Sequence, residues 1–371
     1  MTTTSFTPGY TYTVQNRGSE WYANVASFSS DQSAPLEQLR LQDPNSSNRE
    51  FQTWHVFLLD HGNVLLVNRG SGLCANVASY SASKSAHLEQ FSLQEDEARR
   101  KFQQWNLKQD TAAPAGWCLM TNVGSALYVN VAGFSTGQSA HLEQFSLQGD
   151  SDSKRYFENW SFNQEDEYTT VTGLVPLSGV DIGDIPRMVS YAPTPNSKST
   201  EVLVGQVAVP FPLVSDSMGG GVKWQVDNTP YYILKRYGYW DRQFYYEHTS
   251  ASADTYTTKA TFGLTSSDSE TVSKTTGWSV NSDTSVTFKH FSSSFAATFS
   301  EQLTVTQSST TTRTATVEQD VTRTFAAGTH ASEAVWWRAD RYVLERLNGD
   351  TLLEWHTRDA STSRSDTYSD D

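Results

Sequence analysis

Between residues 278 and 288 the even positions Trp278, Val280, Val286 and Phe288 are apolar, whereas Ser279, Asn281, Asp283, Ser285 and Thr287 are polar. After a stretch at 289–294 that is polar except for Phe291 the parity reverses. Phe295, Ala297, Phe299, Leu303 and Val305 are now the apolar positions, and Thr298, Ser300, Gln302 and Thr304 the polar ones. Side chains alternate faces along a strand, so this pattern predicts an antiparallel hairpin turning at 289–294. Phe288 then lies opposite Phe295, Val286 opposite Ala297, Val280 opposite Leu303 and Trp278 opposite Val305, all on one face. The other face pairs Ser285 with Thr298, Asp283 with Ser300 and Asn281 with Gln302. A strand crossing a bilayer within a barrel needs ~9–11 residues with an apolar outside and a wet inside, and each arm is about that long. Glu301 interrupts the apolar face opposite Ser282, a position tolerable in lipid only near the interface. The same alternation also fits a hairpin with one face on a protein core, so the pattern leaves both readings open.

The first half is a threefold repeat. Asn24-Val25-Ala26-Ser27-Phe28 returns as Asn76-Val77-Ala78-Ser79-Tyr80 and as Asn130-Val131-Ala132-Gly133-Phe134. Each copy continues into Ser-Ala-x-Leu-Glu-Gln, ending at Gln38, Gln90 and Gln144. Each closes on a tryptophan: Phe51-Gln52-Thr53-Trp54, Phe102-Gln103-Gln104-Trp105 and Phe157-Glu158-Asn159-Trp160. Units of about fifty residues built from short strands cannot each bury a core, but three stacked around an axis can.

Gln-x-Trp closing the first two repeats, with Glu158-x-Trp in its place in the third, resembles the ricin-B-type β-trefoil lectins over residues 11–167. The resemblance implies a sugar held by an early Asp, a stacking aromatic and an Asn beside the Gln-x-Trp. The matching positions are Asn24, Asn76 and Asn130 for the Asp, then Leu39, Phe91 and Phe145 for the aromatic. For the late Asn they are Phe51, Phe102 and Phe157, which removes a hydrogen-bonding ligand. The repeated Glu37, Glu89 and Glu143 with His87 and His141 offer a different polar set, Pro35 breaking the pattern in the first copy. These residues either contact a glycan, best in the second and third repeats, or satisfy turns and ladders duplicated with the repeat.

Composition narrows the class. The chain has 371 residues and a formal net charge of -14, with no clustered basic face of the kind nucleic acid requires. Its two cysteines, Cys74 and Cys118, support no disulfide framework; one bridge or two separate buried thiols both remain open. Residues 1–10 lack a basic start and an apolar run, so no signal peptide is expected, and no stretch reads as a membrane helix. The expectation is synthesis in the cytoplasm, and any membrane would be met as a strand or from outside; action on target-cell membranes is implied only by the family resemblance given below.

Glu165-Asp166-Glu167 marks the exit from the repeats, so residues 1–167 are expected as one domain. Pro176, Pro186, Pro193, Pro195, Pro210 and Pro212 predict loops and edge strands, since proline cannot donate to a ladder. Gly219-Gly220-Gly221 predicts a flexible turn, and Asn348-Gly349 a tight hairpin. The Ser, Thr, Asp and Arg tail at 357–371 predicts a mobile end in which Arg358 and Arg364 would meet a trypsin-like protease.

Thr229-Pro230-Tyr231-Tyr232-Ile233-Leu234-Lys235, continuing to Tyr239-Trp240, together with Val209-Pro210-Phe211-Pro212-Leu213-Val214, resembles the Tpp (Bin-like) insecticidal crystal proteins. The likeness covers about residues 175–345. It implies an all-β fold: an N-terminal β-trefoil followed by an elongated aerolysin-like antiparallel β-sheet module at 168–356. It further implies a pore-forming toxin of the insect gut, made without a signal peptide and stored as inclusions. Such a toxin binds a receptor or glycan, sometimes acts with a second component, and forms a homo-oligomer on insertion. The predicted hairpin occupies the place of that family's insertion segment. The inserting side chains are then Trp278, Val280, Val286, Phe288, Phe295, Ala297, Phe299 and Leu303. Because a lone hairpin leaves its edges unpaired in lipid, several protomers must share one closed barrel. No catalytic, metal-binding or phosphate-binding motif occurs, so no enzyme, cofactor or metal is expected. The alternative from another class is a soluble multivalent lectin whose second half is an oligomerisation stalk.

Overall fold

The computed structural model describes residues 6–7, 9–59, 62–94, 96–169, 180–216, 221–264, 268, 270–272, 278–280, 286–288 and 317–369. The chain separates into two units. The first takes the described residues of Met1–Thr172, Pro210–Pro212 and Ser217–Pro230, and the second takes those of Gly173–Val209, Leu213–Asp216 and Tyr231–Asp371.

In the first unit twelve short strands, from β1 (Tyr10–Asn16) to β12 (Asn159–Glu167), form the expected trefoil. β1 and β12 pair antiparallel, so the two ends of the repeat array close on each other. The core repeats with the sequence. Val25, Val77 and Val131, Leu36, Leu88 and Leu142, and Trp54, Trp105 and Trp160 are buried together. Each indole N–H donates inward, to the carbonyls of Ala23, Ala75 and Val129.

Polar side chains clamp one repeat to the next. The amide of Gln38 donates to Ser135 O and Gly137 O, that of Gln90 to Ser29 O and Asp31 O, and that of Gln144 to Ser81 O and Ser83 O. Phe51, Phe102 and Phe157 lie over Gly70, Gly124 and Gly18 so closely that a Cβ there would sit 2.7 to 3.0 Å from the ring. These phenylalanines lock neighbouring repeats, which explains why no asparagine stands at their positions. Cys74 and Cys118 are separate buried thiols, and burial pushes both up to about 12.

Residues 221–230, expected in the second module by chain order, belong to the trefoil unit. Their short helix Val222–Asn228 starts after Gly221 at φ +91°, where a side chain would be strained. Val222 comes close enough to Gly72 that a Cβ there would meet it at 3.0 Å. Tyr168 Oη donates to Val226 O, and Lys223 Nζ to Arg69 O.

The second unit is built on β13 (Val202–Pro210), β14 (Tyr231–His248), β19 (Ala331–Glu345) and β20 (Thr351–Ser369), in the sheet order β13-β14-β19-β20. β19 is covered on both faces. Trp336 joins Ile182, Met188, Val204 and Trp240, whereas Trp337 joins Phe244, Phe262 and Val321. A strand enclosed on two sides reads as a continuous apolar run, as Val335-Trp336-Trp337 does. β15 (Asp254–Phe262) and β18 (Val317–Phe325) form a separate antiparallel ribbon in register from Asp254↔Phe325 to Phe262↔Val317.

Two expectations are corrected. The tail is not a loose end: β20 runs for 19 residues and pairs with β19 as far as Ala331↔Ser369. Main-chain pairing holds it, helped by the ion pairs Arg358–Asp241 and Arg364–Asp184, so Arg358 is not an open protease site. The stretch 278–288 is not one continuous arm. β16 (Trp278–Val280) pairs antiparallel with β17 (Val286–Phe288) through Trp278↔Phe288 and Val280↔Val286. Even positions still meet even positions, so the parity of the pattern survives in a different register. Phe295, Ala297, Phe299 and Leu303 lie outside the described residues. The Asn348-Gly349 hairpin forms, with Gly349 at φ +90° and Glu345 opposite Thr351.

Candidate glycan site and insertion ribbon

The short hairpins that follow the Asn-Val-Ala motif converge around the pseudo-threefold axis. Bridges Pro35↔Glu89, His87↔Glu143 and Glu37↔His141 join each repeat to the next in a ring. The exposed rings of His87 and His141 meet edge to face at 5.4 Å.

Asn24, Asn76 and Asn130 are fully enclosed, each 0% exposed. Their amides donate to Glu37 at 3.0 Å, Glu89 at 2.9 Å and Glu143 at 3.2 Å. A side chain without accessible surface touches no sugar. These asparagines position the carboxylates instead, which corrects the expectation that they contact a glycan. Glu89 is half-buried and Glu143 nearly enclosed at 7% exposure, so the second repeat presents the freer carboxylate.

Phe91 and Phe145 are half-buried and belong to aromatic nests. Tyr80 packs against Phe91 at 6.3 Å and Phe102 at 6.2 Å; Phe134 packs against Phe145 at 5.9 Å and Phe157 at 6.1 Å. The first repeat has Leu39 at the matching position and keeps only the Phe28–Phe51 pair. Cations ride on these rings: Arg99 on Tyr80 at 5.5 Å and Lys154 on Phe134 at 5.2 Å.

Phe28, Tyr80 and Phe134 carry φ of 52°, 53° and 52°. Bulky side chains in this left-handed region are strained, and such strain gathers where a ring must be presented at a set angle. In the sequence these rings stand only as the ends of the Asn-Val-Ala motif. Their recurrence after a Ser or Gly, in a loop followed by exposed serines, was the available signal.

The buried polar groups of the trefoil serve the scaffold. His55 stacks on Phe57 at 5.8 Å, meets the edge of Tyr168 at 5.1 Å, and its Nε2 finds no partner. Burial first, then the charges of Arg69 and Lys223, hold its pKa down at about 3. Among the described residues no cluster of His, Cys, Asp and Glu has the arrangement of a metal site.

In the second unit, the β15–β18 ribbon places Thr255 on Thr324 at 3.2 Å and Thr257 on Thr322 at 2.9 Å, with Lys259 and Glu318 at 3.4 Å. Its far end returns to one place, since Phe262 and Val317 face each other across the 263–316 segment. Arg358 clasps that end. It donates to Thr261 O and to the buried carboxylate of Asp241, while Gly263 N donates to Arg358 O at 2.9 Å.

Residues 202–370 match the family described as Insecticidal Crystal Toxin, P42, and residues 3–91 match the Ricin-type beta-trefoil lectin domain-like family. The insecticidal crystal protein Cry35Ab1 of Bacillus thuringiensis is 24% identical over 242 residues, covering 62% of this chain and 54% of that protein. The match therefore spans about half the length of this curated relative. The crystal structure of Cry35Ab1 aligns over 98% of this chain and 91% of its own, with a TM-score of 0.75 at 15% identity, a likeness of fold.

Proposed function

We propose that this chain, of the Tpp (Bin-like) insecticidal crystal protein type in both of its modules, is a toxin. In this reading it engages a cell-surface glycan through its trefoil, oligomerises, and inserts a hairpin drawn from residues 263–316 into the target membrane. One observation carries it: the β15–β18 ribbon brings Phe262 and Val317 face to face, so the intervening segment departs from and returns to one site. A segment rooted in this way extends without breaking the β13-β14-β19-β20 sheet. Burial of each large apolar side chain in lipid contributes about 1.5–3 kcal/mol. The Ser, Thr, Asn and Gln face of the predicted hairpin suits a wet lumen.

The glycan reading rests on Glu89 with Phe91 and Tyr80, and on Glu143 with Phe145 and Phe134. A carboxylate accepts from sugar hydroxyls, and a ring packs on the apolar face of the sugar. His87 and His141 stand at the rim. A homo-oligomer is required for a closed barrel, and a second component remains an expectation of the family type.

The test is dye release from liposomes carrying midgut membrane lipids and glycoproteins, with and without competing free glycans. Release that competing sugar suppresses supports both halves of the reading. Binding without release leaves the multivalent lectin alternative, and release untouched by any glycan removes the trefoil from recognition.

A further inference from the structure

At the residue two before its closing tryptophan, the third repeat differs from the first two by one heavy atom, a carboxylate oxygen in place of an amide nitrogen. Gln52 and Gln103 hold the loop ahead of their tryptophan by a two-way contact. Their Oε1 atoms accept from the N–H of Gln42 at 2.7 Å and of Gln94 at 2.9 Å. Their Nε2 atoms donate to Arg40 O at 2.9 Å and Ser92 O at 2.8 Å. Glu158 stands in the same place, 0% exposed, and its Oε2 accepts from Gln148 N–H at 3.0 Å. Its Oε1, the counterpart of the amide nitrogen, is enclosed and has no partner. By repeat equivalence the carbonyl it faces is that of Ser146, two residues before Gln148. An ionised oxygen cannot donate to a carbonyl, whereas a carboxylic acid can.

We propose that Glu158 carries a proton that does the work of the amide in Gln52 and Gln103, and that losing it as pH rises releases the loop ahead of Trp160. The surroundings favour the proton. Arg155, the cation beside it, is already engaged with Asp110 at 2.9 Å and with Gln148 O at 2.7 Å. Asp110 and Asp152 face Glu158 with like charge, and Asp150 lies 3.7 Å from Arg155. Burial, the largest cause, pushes the carboxyl up to about 7 from 4.5. Because the folded value lies above the unfolded one, the contribution to stability is full below about 4.5 and is lost as pH rises through about 7.

Phe157, just before Glu158 in the chain, packs on Phe134 and over Gly18, so a released loop loosens the aromatic nest of the third repeat. A glycan there would then bind more weakly in alkaline than in acid solution. That consequence rests on the glycan reading above; the loop release itself does not.

The test compares the full chain with Glu158→Gln and with Gln103→Glu by hydrogen exchange. Each pair is measured at one pH, about 5 and then about 8.5, on either side of the shifted titration. At the lower pH wild type and Glu158→Gln protect residues 148–158 alike. At the higher pH wild type loses protection there about tenfold or more, while Glu158→Gln keeps it. Gln103→Glu transfers the same loss to residues 94–103. A difference between wild type and Glu158→Gln that is the same at both pH values overturns the proposal, as does an unresponsive Gln103→Glu. If exchange follows the prediction and sugar affinity does not, the glycan reading of the third repeat fails and the proton latch stands.

Discussion

Gln144 holds the third repeat to the second, and its removal provides a measured comparison within one molecule. The side chain is 0% exposed. Its amide donates to Ser81 O and Ser83 O, each at 2.7 Å, and its Oε1 accepts from Ser125 Oγ at 2.6 Å. Gln90 makes the same set, with Ser71 Oγ at 2.7 Å. Gln38 makes only the two donations, to Ser135 O and Gly137 O, and its Oε1 is unpaired. Each net hydrogen bond contributes about 0.5–1.5 kcal/mol, so Gln144→Ala should cost about 3 kcal/mol and Gln38→Ala about 2. For a unit of this size each kcal/mol moves the midpoint by about 2–4 °C. Calorimetry of the full chain reads the trefoil transition directly, with the transition of the second module as an internal standard. The predicted order is wild type, then Gln38→Ala, then Gln90→Ala and Gln144→Ala together. Equal losses for Gln38 and Gln144, or losses within about 0.5 kcal/mol of zero, would refute the clamp as the bond between repeats.

Two further outcomes follow from the same geometry. His55 has a folded pKa of about 3 against 6.5 unfolded, so its contribution is full above about 6.5 and is lost as pH falls toward 3. Trefoil stability should drop by about 1.4 kcal/mol per pH unit across that range, to about 5 kcal/mol in all, and denaturant titrations of His55→Leu should lack this slope. Arg358→Ala leaves the carboxylate of Asp241, 5% exposed, without its partner. It should destabilise the second unit by about 2–4 kcal/mol and raise hydrogen exchange in residues 254–262, whereas unchanged exchange there denies Arg358 its role as a clasp.

How much of this was readable beforehand differs between the units. Duplication wrote the trefoil into the sequence three times, so Trp54, Trp105 and Trp160 announced a shared core. The interlocks were hidden, because a glutamine that bonds to the next repeat looks the same as one facing water. The asparagines misled for a related reason. A match to the lectin family's early Asp gives a position but not whether that side chain meets solvent, and here each asparagine is enclosed and bonded to the glutamate of its own repeat. The tail misled by composition: β20 beyond Thr357 buries little, and main-chain pairing with β19 holds it together with two arginine ion pairs. The helix Val222–Asn228 followed three glycines, which read as a turn because its packing partners lie far away in sequence. In the 278–288 stretch parity was legible and register was not, since alternation fits any register that pairs like with like.

The most direct examination of the insertion claim is marker efflux from target midgut cells exposed to the Val286→Asp, Phe295→Asp double variant. The account predicts that this protein still coats the cells at wild-type density and folds with an unchanged trefoil transition, yet releases no marker. Efflux at the wild-type rate would contradict it, and the inserting element would then lie elsewhere in the chain.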